Sequence, residues 1–418
     1  MQSANVDTGQ VDRMPLVALL TANAISQVGS MLSVVAIPWF VLVTTGSAAK
    51  TGLVGFVTTV PLILVAFFGG TLVNSLGFKP TSVAADVASA LSVAAIPALY
   101  HAAGLDFWQL LVFVFLRSAL GTPGTTARQS LFPDLAVCAN VPLPRANAAQ
   151  QAIWRLSYLL GPPLAGVLIA VMGVSNVLWL DAASFAGSAL LIGMLVPGRA
   201  IIGGNQVDPE LEAPRRHSSR RELLDGLRFI LHDRLILLLS IASTLGNALG
   251  AATFDVVLPV YARRDFGNAT ALGLMLGGFG GGALVSVLLF GLMGYRLPKR
   301  VTMIGSLIAG AIPAWIIATT PPLWLSVAAL VLDGLSSGPF GPIVSSTYQE
   351  RVPVGLRGPF FGAMLALDNG LTPLSILAAG LLLAHFNLVT MLIVLAAANL
   401  LVVLVIAPQP RLADLDTP

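Results

Sequence analysis

The chain has 418 residues, of which 56% are apolar and only 10% are charged. Soluble proteins carry charge on about a quarter of their residues, so this composition predicts a membrane protein. A single cysteine excludes a disulfide framework, and four widely spaced histidines argue against a zinc enzyme. We therefore expect no metal, no cofactor and no enzymatic activity. The net charge of +3 is not gathered in one stripe, which argues against nucleic-acid binding.

Long apolar segments recur along the whole chain. About 20 apolar residues are enough for a helix to cross the bilayer, and on this criterion the sequence predicts twelve membrane spans. They cover residues 15–44, 51–73, 81–101, 107–126, 146–173, 175–196, 235–261, 269–293, 300–319, 322–344, 358–384 and 387–407. The predicted fold class is therefore an all-α membrane protein.

The longest polar stretch, residues 197–234, divides the spans into two sets of six. Its second part, residues 221–231, has apolar side chains on one helical face and charges on the opposite face. This pattern predicts a short amphipathic helix on the inner membrane surface, and the first part fits a solvated linker. We expect a six-helix bundle at 1–196, a cytoplasmic linker, and a second bundle with a tail at 235–418.

The basic residues predict the orientation of the chain. Of the 22 Lys and Arg residues, 17 fall in segments on the side of the two termini, three in the opposite loops and two inside spans. Cytoplasmic loops are enriched in Lys and Arg. Both termini are therefore predicted to be cytoplasmic, in a plasma or inner cell membrane. Arg128 and Arg145 are assigned here to the cytoplasmic loop after span 4, and no cleavable signal peptide is expected.

Polar residues form a stripe on span 1 and again on span 7. The stripes consist of Asn23, Ser26, Gln27 and Ser30, and, 217 residues later, of Ser240, Ser243, Thr244 and Asn247. The loop after span 2 has a counterpart 221 residues later, and the Gln129–Pro133 spacing recurs 220 residues later. Parallel repeats of this kind place a substrate site at their interface near the midplane. The stripes are predicted to line a shared cavity, although hydrogen bonding between helices also accounts for them.

Motifs in the first half resemble the major facilitator superfamily, and the resemblance extends over essentially the whole chain. The segment from Gly70 to Lys79 is similar to the superfamily's loop motif G-x-L-A-D-R-x-G-R-K and keeps its glycine at Gly77. Asn74 stands where the superfamily has an acid that locks the inner gate. The resemblance therefore implies an altered lock in this chain.

Two further motifs carry the resemblance. Arg117 with Gly121 resembles the R-x-x-x-G motif of span 4, and Gly161, Pro162 and Gly166 resemble the G-P-x-x-G-G motif that marks exporters. Residues 130–135, 180–185 and 225–229 are similar to the branch that contains macrolide and enterobactin exporters. The resemblance implies two pseudo-symmetric six-helix bundles. It also implies a monomeric secondary transporter that exports lipophilic drug-like or secreted small molecules by alternating access, coupled to protons.

Charged residues inside the predicted spans are the strongest candidates for function. Inserting one charged side chain at the centre of a span costs ~2.5–3.5 kcal/mol of free energy. Residues of this kind are therefore expected to have a functional role. The candidates for proton coupling are Arg117, Arg155, Asp255, Asp333 and Asp368. In the superfamily spans 1, 4, 7 and 10 line the central cavity, which implies that Arg117, Asp255 and Asp333 face it. Static ion pairs are the alternative role for each of them.

Asp333 is the predicted proton carrier, and Arg117 is expected to hold its deprotonated form. Asp368, paired with Arg155, and Asp255 are the reserve carriers. Two other acids, Asp86 and Asp181, lie nearer to span ends, and structural pairing is predicted for both. Aromatic residues for an apolar cavity wall are Trp39, Phe254 and Phe340, although single aromatics more often serve packing alone.

Other classes of membrane protein require motifs that this sequence does not contain. The chain has no G-x-x-x-x-G-K-[ST] motif, which argues against an ATP-driven pump, and no charge rings or carbonyl filter for a channel. A proton-coupled importer is favoured by the altered loop motif and opposed by the Gly-Pro motif of span 5. A non-transporting membrane receptor is the other alternative.

Overall fold

The computed structural model describes residues 12–61, 77–197, 219–293 and 297–416, and none of these residues lies in a strand. The helices are α1 Met14–Thr45, α2 48–61, α3 Phe78–Ala102, α4 Phe107–Cys138, α5 Leu143–Met172, α6 Val174–Leu195, α7 Ser219–His232, α8 Arg234–Phe266, α9 Ala269–Met293, α10 Lys299–Ala318, α11 Leu323–Arg351, α12 Arg357–His385 and α13 Leu388–Ile406. Eleven described helices are long and apolar enough to cross a membrane. The predicted all-α fold is confirmed: α1 and α3–α6 correspond to spans 1 and 3–6, and α8–α13 to spans 7–12. Of span 2 the structure describes the residues up to 61, which lie in α2.

Helix α4 is longer than the sequence predicts. It continues from residue 126 to Cys138 and contains both Pro123 and Pro133. Arg128 is therefore part of the bundle, where it is only 6% exposed. Its assignment to a loop was wrong, because α4 continues past residue 126 and the side chain of Arg128 is buried against other helices.

Neighbouring spans run in opposite directions, so each bundle has two sides. We call the side where α1 begins and α13 ends the terminal side, and the opposite side the far side. On the terminal side each bundle has its own cluster of buried apolar residues. One joins Leu16 of α1 to Phe132 of α4, and the other joins Leu235 of α8 to Phe360 of α12.

A third cluster of buried apolar residues spans both bundles. It joins Trp39 and Phe40 of α1 to Tyr261 of α8 and Ile376 of α12, all near the far side. One apolar cluster therefore connects the two bundles near the far side, whereas each cluster described on the terminal side belongs to one bundle.

Glycines bring helices of the two bundles into direct contact near the far side. A Cβ atom added to Gly52 of α2 would lie 2.8 Å from the Cα atom of Gly380 in α12. A Cβ atom added to Gly166 of α5 would lie 2.7 Å from the carbonyl oxygen of Ala269 in α9. Real Cβ atoms do not approach so closely, so these helix pairs require small residues, as close helix packing in membranes generally does.

We expect the Gly52→Leu substitution to hold the bundles apart on the far side. The added side chain collides with the backbone of α12, so the closed arrangement is lost, and the transport that the sequence resemblance implies should fall at least tenfold. Its rate should be measured beside the amount of protein in the membrane. Gly187→Leu is the matched control, because nothing lies within 4 Å of a Cβ atom there. Equal activity of the two variants would contradict a closed far side.

Helix α7 lies within the polar segment between the bundles. Ile230 is buried, Phe229 packs edge-to-face against Phe360 of α12 with ring centroids 6.1 Å apart, and Gly226 faces the backbone of Pro359. Residues on one side of the amphipathic helix α7 are thus in contact with the second bundle. The first part of the predicted linker, residues 198–218, lies outside the described residues.

Candidate functional site

A buried ion pair joins α4 to α3 in the first bundle. One guanidinium nitrogen of Arg128 lies 2.7 Å from the Asp86 carboxylate, and another donates hydrogen bonds of 3.2 Å to Asn23 and to Ser26. The Ser188 hydroxyl of α6 donates to the second oxygen of Asp86 at 2.7 Å. The first half of the span 1 stripe therefore serves to solvate a buried ion pair, which is the hydrogen-bonding role that the sequence left open.

A second ion pair joins α4 to α6. The Arg117 guanidinium lies 3.3 Å from the Asp181 carboxylate, which also accepts a hydrogen bond from Ser33. The guanidinium carbon lies 5.6 Å from the centroid of the Phe185 ring. The predicted pairing of Asp86 and of Asp181 is confirmed. The expected pairing of Arg117 with Asp333 is wrong, because Asp181 already holds this arginine within its own bundle.

The rest of the span 1 stripe is less constrained. Asn23 also donates a hydrogen bond of 3.1 Å to Gln150 of α5. Gln27 and Ser30 are half-buried, and neither side chain has a hydrogen-bonding partner among the described residues. These two residues are the part of the stripe that remains available to a substrate.

The span 7 stripe surrounds a carboxylate of α12. The Thr244 hydroxyl donates a hydrogen bond of 3.2 Å to Asp368, and the side chains of Ser243 and Asn247 lie close to the same carboxylate. Ser240 is buried and donates to the Ile236 carbonyl oxygen at 2.7 Å, away from the cluster. Asp368 thus has neutral hydrogen-bond donors around it.

Arg155 is not the partner of Asp368. No ion pair between the two is present in the part of the chain that the structure describes. The expected pairing was therefore wrong, since the polar stripe of α8 supplies the partners of Asp368. Arg155 is half-buried on α5.

Two further carboxylates of the second bundle have no cationic partner within the described ranges. Asp333 lies in the middle of α11, and its side chain takes part in no hydrogen bond or ion pair there. Asp255 lies in a π-helical segment of α8, Thr253–Val257. Segments of π-helix occur frequently at functional sites.

The two bundles therefore differ in charge balance. Among the described membrane segments, Asp86 and Asp181 of the first bundle are each neutralised by an arginine, whereas Asp255, Asp333 and Asp368 of the second bundle are not. A carboxylate without a counter-charge in a membrane is stabilised by binding a proton or another cation. Among the described membrane segments, the aspartates without an arginine partner thus all lie in the second bundle.

The aromatic residues proposed for a cavity wall are mainly packing residues. Trp39 is only 5% exposed within the cluster that spans both bundles. Phe254 stacks on Phe279 of α9, with ring centroids 4.6 Å apart, and Phe340 packs against the apolar cluster of the second bundle. The structure thus favours the packing interpretation for Trp39 and Phe340.

Sequence reasoning missed two aromatic residues of α5. Trp154 and Tyr158 are 47% and 40% exposed, and their ring centroids lie 5.5 Å apart. Their spacing of four residues puts them on one face of the helix. This spacing, beside a charged residue inside a span, was the signal that could have identified them.

The motif glycines act through close packing. Gly121 of α4 faces the Ser89 hydroxyl of α3, Gly161 of α5 faces Met31 of α1, and the carbonyl oxygen of Pro162 faces Gly273 of α9. Gly77 precedes α3 with a φ of +85°, which favours glycine. Lys79 is half-exposed at the start of α3. Gly70 and Asn74 lie outside the described residues.

Comparisons with known proteins agree with this architecture. Residues 13–417 match the family model described as transmembrane secretion effector. The multidrug efflux pump Tap of Mycobacterium tuberculosis (strain ATCC 25618 / H37Rv) is 31% identical over 415 residues, covering 97% of this chain and 96% of the relative. Macrolide efflux protein A of Streptococcus pyogenes is 21% identical over 381 residues, covering 88% and 89%.

Solved structures share the fold at low sequence identity. The nucleoside transporter NupG superposes with a TM-score of 0.75 at 14% identity, covering 96% of this chain and 99% of that one. A bacterial homologue of the iron transporter ferroportin in its inward-facing state has a TM-score of 0.68 at 16% identity, covering 96% and 98%.

Proposed function

The chain belongs to the transmembrane secretion effector family of the major facilitator superfamily, and it is therefore a secondary transporter that exports drug-like molecules. We propose that protons entering the cell drive this export. The observation that supports proton coupling is the set of three carboxylates in the second bundle without an arginine partner among the described residues. Drug export fits a site with apolar walls and few orienting polar groups.

The proposed cycle alternates between two arrangements of the bundles. With both termini in the cytoplasm, the terminal side opens to receive substrate from the cell interior, and the far side, where the bundles are joined by one apolar cluster, faces the exterior. Gln27 and Ser30 of the first bundle, and Ser243, Thr244 and Asn247 of the second, supply the polar groups of the cavity. The protein acts as a monomer in the lipid bilayer, because the cavity lies between the two bundles of one chain.

Asp333 is the proposed proton carrier. It lies in the middle of α11, on a helical face away from Val331 and Gly334, which pack against α9. No arginine holds it among the described residues, so a proton can serve as its counter-charge. Protonation from the exterior and release into the cytoplasm then alternate with substrate binding. Asp368 differs from Asp333 in having neutral hydrogen-bond donors around its carboxylate. It is the first reserve carrier.

The test of proton-driven export uses everted membrane vesicles, whose lumen corresponds to the exterior. When the lumen is acidified, we expect vesicles with this protein to accumulate members of a panel of lipophilic compounds, and a protonophore should abolish accumulation. Expulsion under the same gradient would indicate a proton-coupled importer. Absence of any gradient-dependent flux would contradict proton coupling.

The single cysteine of the chain provides a test of orientation. Cys138 is exposed at the terminal-side end of α4. We expect a membrane-impermeant maleimide to label it in everted vesicles and to leave it unlabelled in intact cells. Detergent-solubilised protein is the control for its reactivity. Labelling in intact cells with intact membranes would reverse the proposed orientation.

A further inference from the structure

Three side-chain polar atoms of the described residues are buried without a hydrogen-bonding partner, and all three lie in the first bundle. They are the hydroxyl oxygens of Ser82 and Ser89 on α3 and the Nε atom of Arg117 on α4. Both serines are 0% exposed. A buried polar atom without a hydrogen bond has lost its contacts with water and gained none in return. Such atoms are rare in folded proteins and require an explanation.

The two serines lie beside the Arg128–Asp86 ion pair. Ser82, Asp86 and Ser89 are spaced by four and three residues, which places them on one face of α3. Asp86 shows where this face points, because its carboxylate lies 2.7 Å from Arg128 of α4 and accepts a hydrogen bond of 2.7 Å from Ser188 of α6. Both unpartnered hydroxyls therefore lie about one helical turn from the ion pair, where α3 meets α4 and α6.

Arg117 lies at the other end of the same helix junction. Gly121 of α4 faces α3, since a Cβ atom added to it would lie 3.2 Å from the Ser89 hydroxyl oxygen. Arg117 is four residues from Gly121, on the same face of α4 and closer to the far side. One terminal nitrogen of its guanidinium contacts Asp181 of α6 at 3.3 Å, whereas Nε has no partner among the described residues. Ser89 therefore lies between the two buried ion pairs of the bundle.

Helices α6 and α1 bring further small and polar residues to this junction. Ser184 lies one turn from Asp181 and one turn from Ser188 on α6, and it donates a hydrogen bond of 2.7 Å to the Asp181 carbonyl oxygen. Ser33 of α1 donates to the Asp181 carboxylate, and Gly29 of α1 faces Ser184. The junction between the two ion pairs is thus lined by glycine and serine.

Apolar clusters enclose the junction on both sides. Toward the terminal side, Phe132 of α4 and Ile192 of α6 belong to the buried cluster of the first bundle. Toward the far side, Val93 of α3, Val114 of α4 and Leu178 of α6 belong to the buried cluster that spans both bundles. The polar atoms between these clusters are shielded from lipid, so a further partner for them has to be small enough to fit inside the bundle.

We propose that ordered water molecules occupy this junction, bind the hydroxyls of Ser82 and Ser89 and the Nε atom of Arg117, and join the two ion pairs into one hydrogen-bonded network. Buried water molecules typically make about three hydrogen bonds to polar groups that have no other partner. Water fits the junction better than a metal cation does, because the carboxylates of Asp86 and Asp181 are each already paired with an arginine.

The hydrated junction has a consequence for the movement of the first bundle. Hydrogen-bond networks in a medium of low dielectric constant are strong and rigid when every member is satisfied. This network connects α1, α3, α4 and α6, so these four helices should move together as one body. Alternating access is largely a rigid-body movement of one bundle against the other. The water molecules thus help the first bundle to keep its shape during this movement.

The Ser89→Ala substitution tests the site, because the sign of its effect depends on whether water is bound. In a dry junction the change removes a hydroxyl that has no partner, so the unfolding temperature should rise. In a hydrated junction it removes an anchor for water, and we expect the thermal unfolding temperature of the purified full chain to fall by about 2 °C or more. Ser92→Ala on the same helix is the matched control and should have a smaller effect, since the Ser92 hydroxyl already donates to the Ala88 carbonyl oxygen at 2.7 Å.

A second variant and a direct measurement extend the test. Ser82→Ala removes the other hydroxyl and should also lower the unfolding temperature, so the site stays testable if Ser89→Ala fails to fold. A crystal structure at a resolution that shows ordered water should contain water within hydrogen-bonding distance of Ser89 and of the Arg117 Nε atom. An unfolding temperature that rises, or that falls no more than in Ser92→Ala, would overturn the inference. A crystal structure with ordered water elsewhere and none at this junction would also overturn it.

Discussion

Asp333→Asn should abolish concentrative, proton-driven export while downhill exchange of substrate continues. Asparagine has nearly the same shape as aspartate but takes up no proton, so the variant can still bind substrate and change conformation. We expect at least a hundredfold loss of pH-gradient-driven accumulation in everted vesicles, with substrate affinity changed less than threefold. Both quantities should be measured on the same vesicle preparation.

Two controls make this result specific. Asp225→Asn removes an exposed carboxylate of α7, whose partner is Arg228 on the same helix, and should leave accumulation unchanged. Asp333→Glu keeps a titratable group and should retain part of the driven export. If Asp333→Asn accumulates substrate at the normal rate, Asp333 is not the carrier, and the same measurement on Asp368→Asn and Asp255→Asn identifies which reserve carries the proton.

Arg128→Met should strongly destabilise the first bundle. The substitution leaves Asp86 as a buried charge with one remaining hydrogen bond, from Ser188. Removing one partner of a buried ion pair lowers the free energy of unfolding by about 3–5 kcal/mol. We expect a lower thermal unfolding temperature in detergent and a lower yield from membranes.

The surface ion pair of Lys299 and Glu350 is the matched control. Its nitrogen–oxygen distance is 2.8 Å, close to the 2.7 Å of the Arg128–Asp86 pair, but its side chains are 34% and 61% exposed. Exposed pairs contribute about 0–1 kcal/mol, so Lys299→Met should barely change the unfolding temperature. The double variant Arg128→Met with Asp86→Leu should recover stability, because no unpaired charge remains. Equal effects of Arg128→Met and Lys299→Met would contradict a structural role for the buried pair.

Hydropathy predicted the existence of the spans well, because a helix in lipid must be apolar over about 20 residues. It failed at Arg128, where a buried ion pair makes the sequence polar inside α4. It also could not assign partners for Arg117 or Asp368. Depth along a helix can be estimated from residue number, but its rotation about its axis depends on packing against neighbours that are distant in sequence.

The stripes illustrate the same limit. Their spacing correctly placed Asn23 with Ser26, and Ser243 with Thr244, on single helical faces. Nothing in that spacing indicated that the first pair contacts Arg128 and the second Asp368. The aromatic pair on α5, Trp154 and Tyr158, was equally visible in the sequence, but only the structure shows that the carbonyl oxygen of Tyr158 faces Gly280 of α9.

The difference in charge balance between the bundles has an electrical consequence. An arginine and an aspartate that move together across the membrane potential carry no net charge, so motion of the first bundle's two buried pairs does no electrical work. Each uncompensated charge that crosses the field contributes about 2.3 kcal/mol per 100 mV. Apart from Arg155 of α5, which has no ion pair among the described residues, any dependence of the transport cycle on voltage should therefore arise in the second bundle. It should vary with the number of carboxylates there that are protonated during the return step.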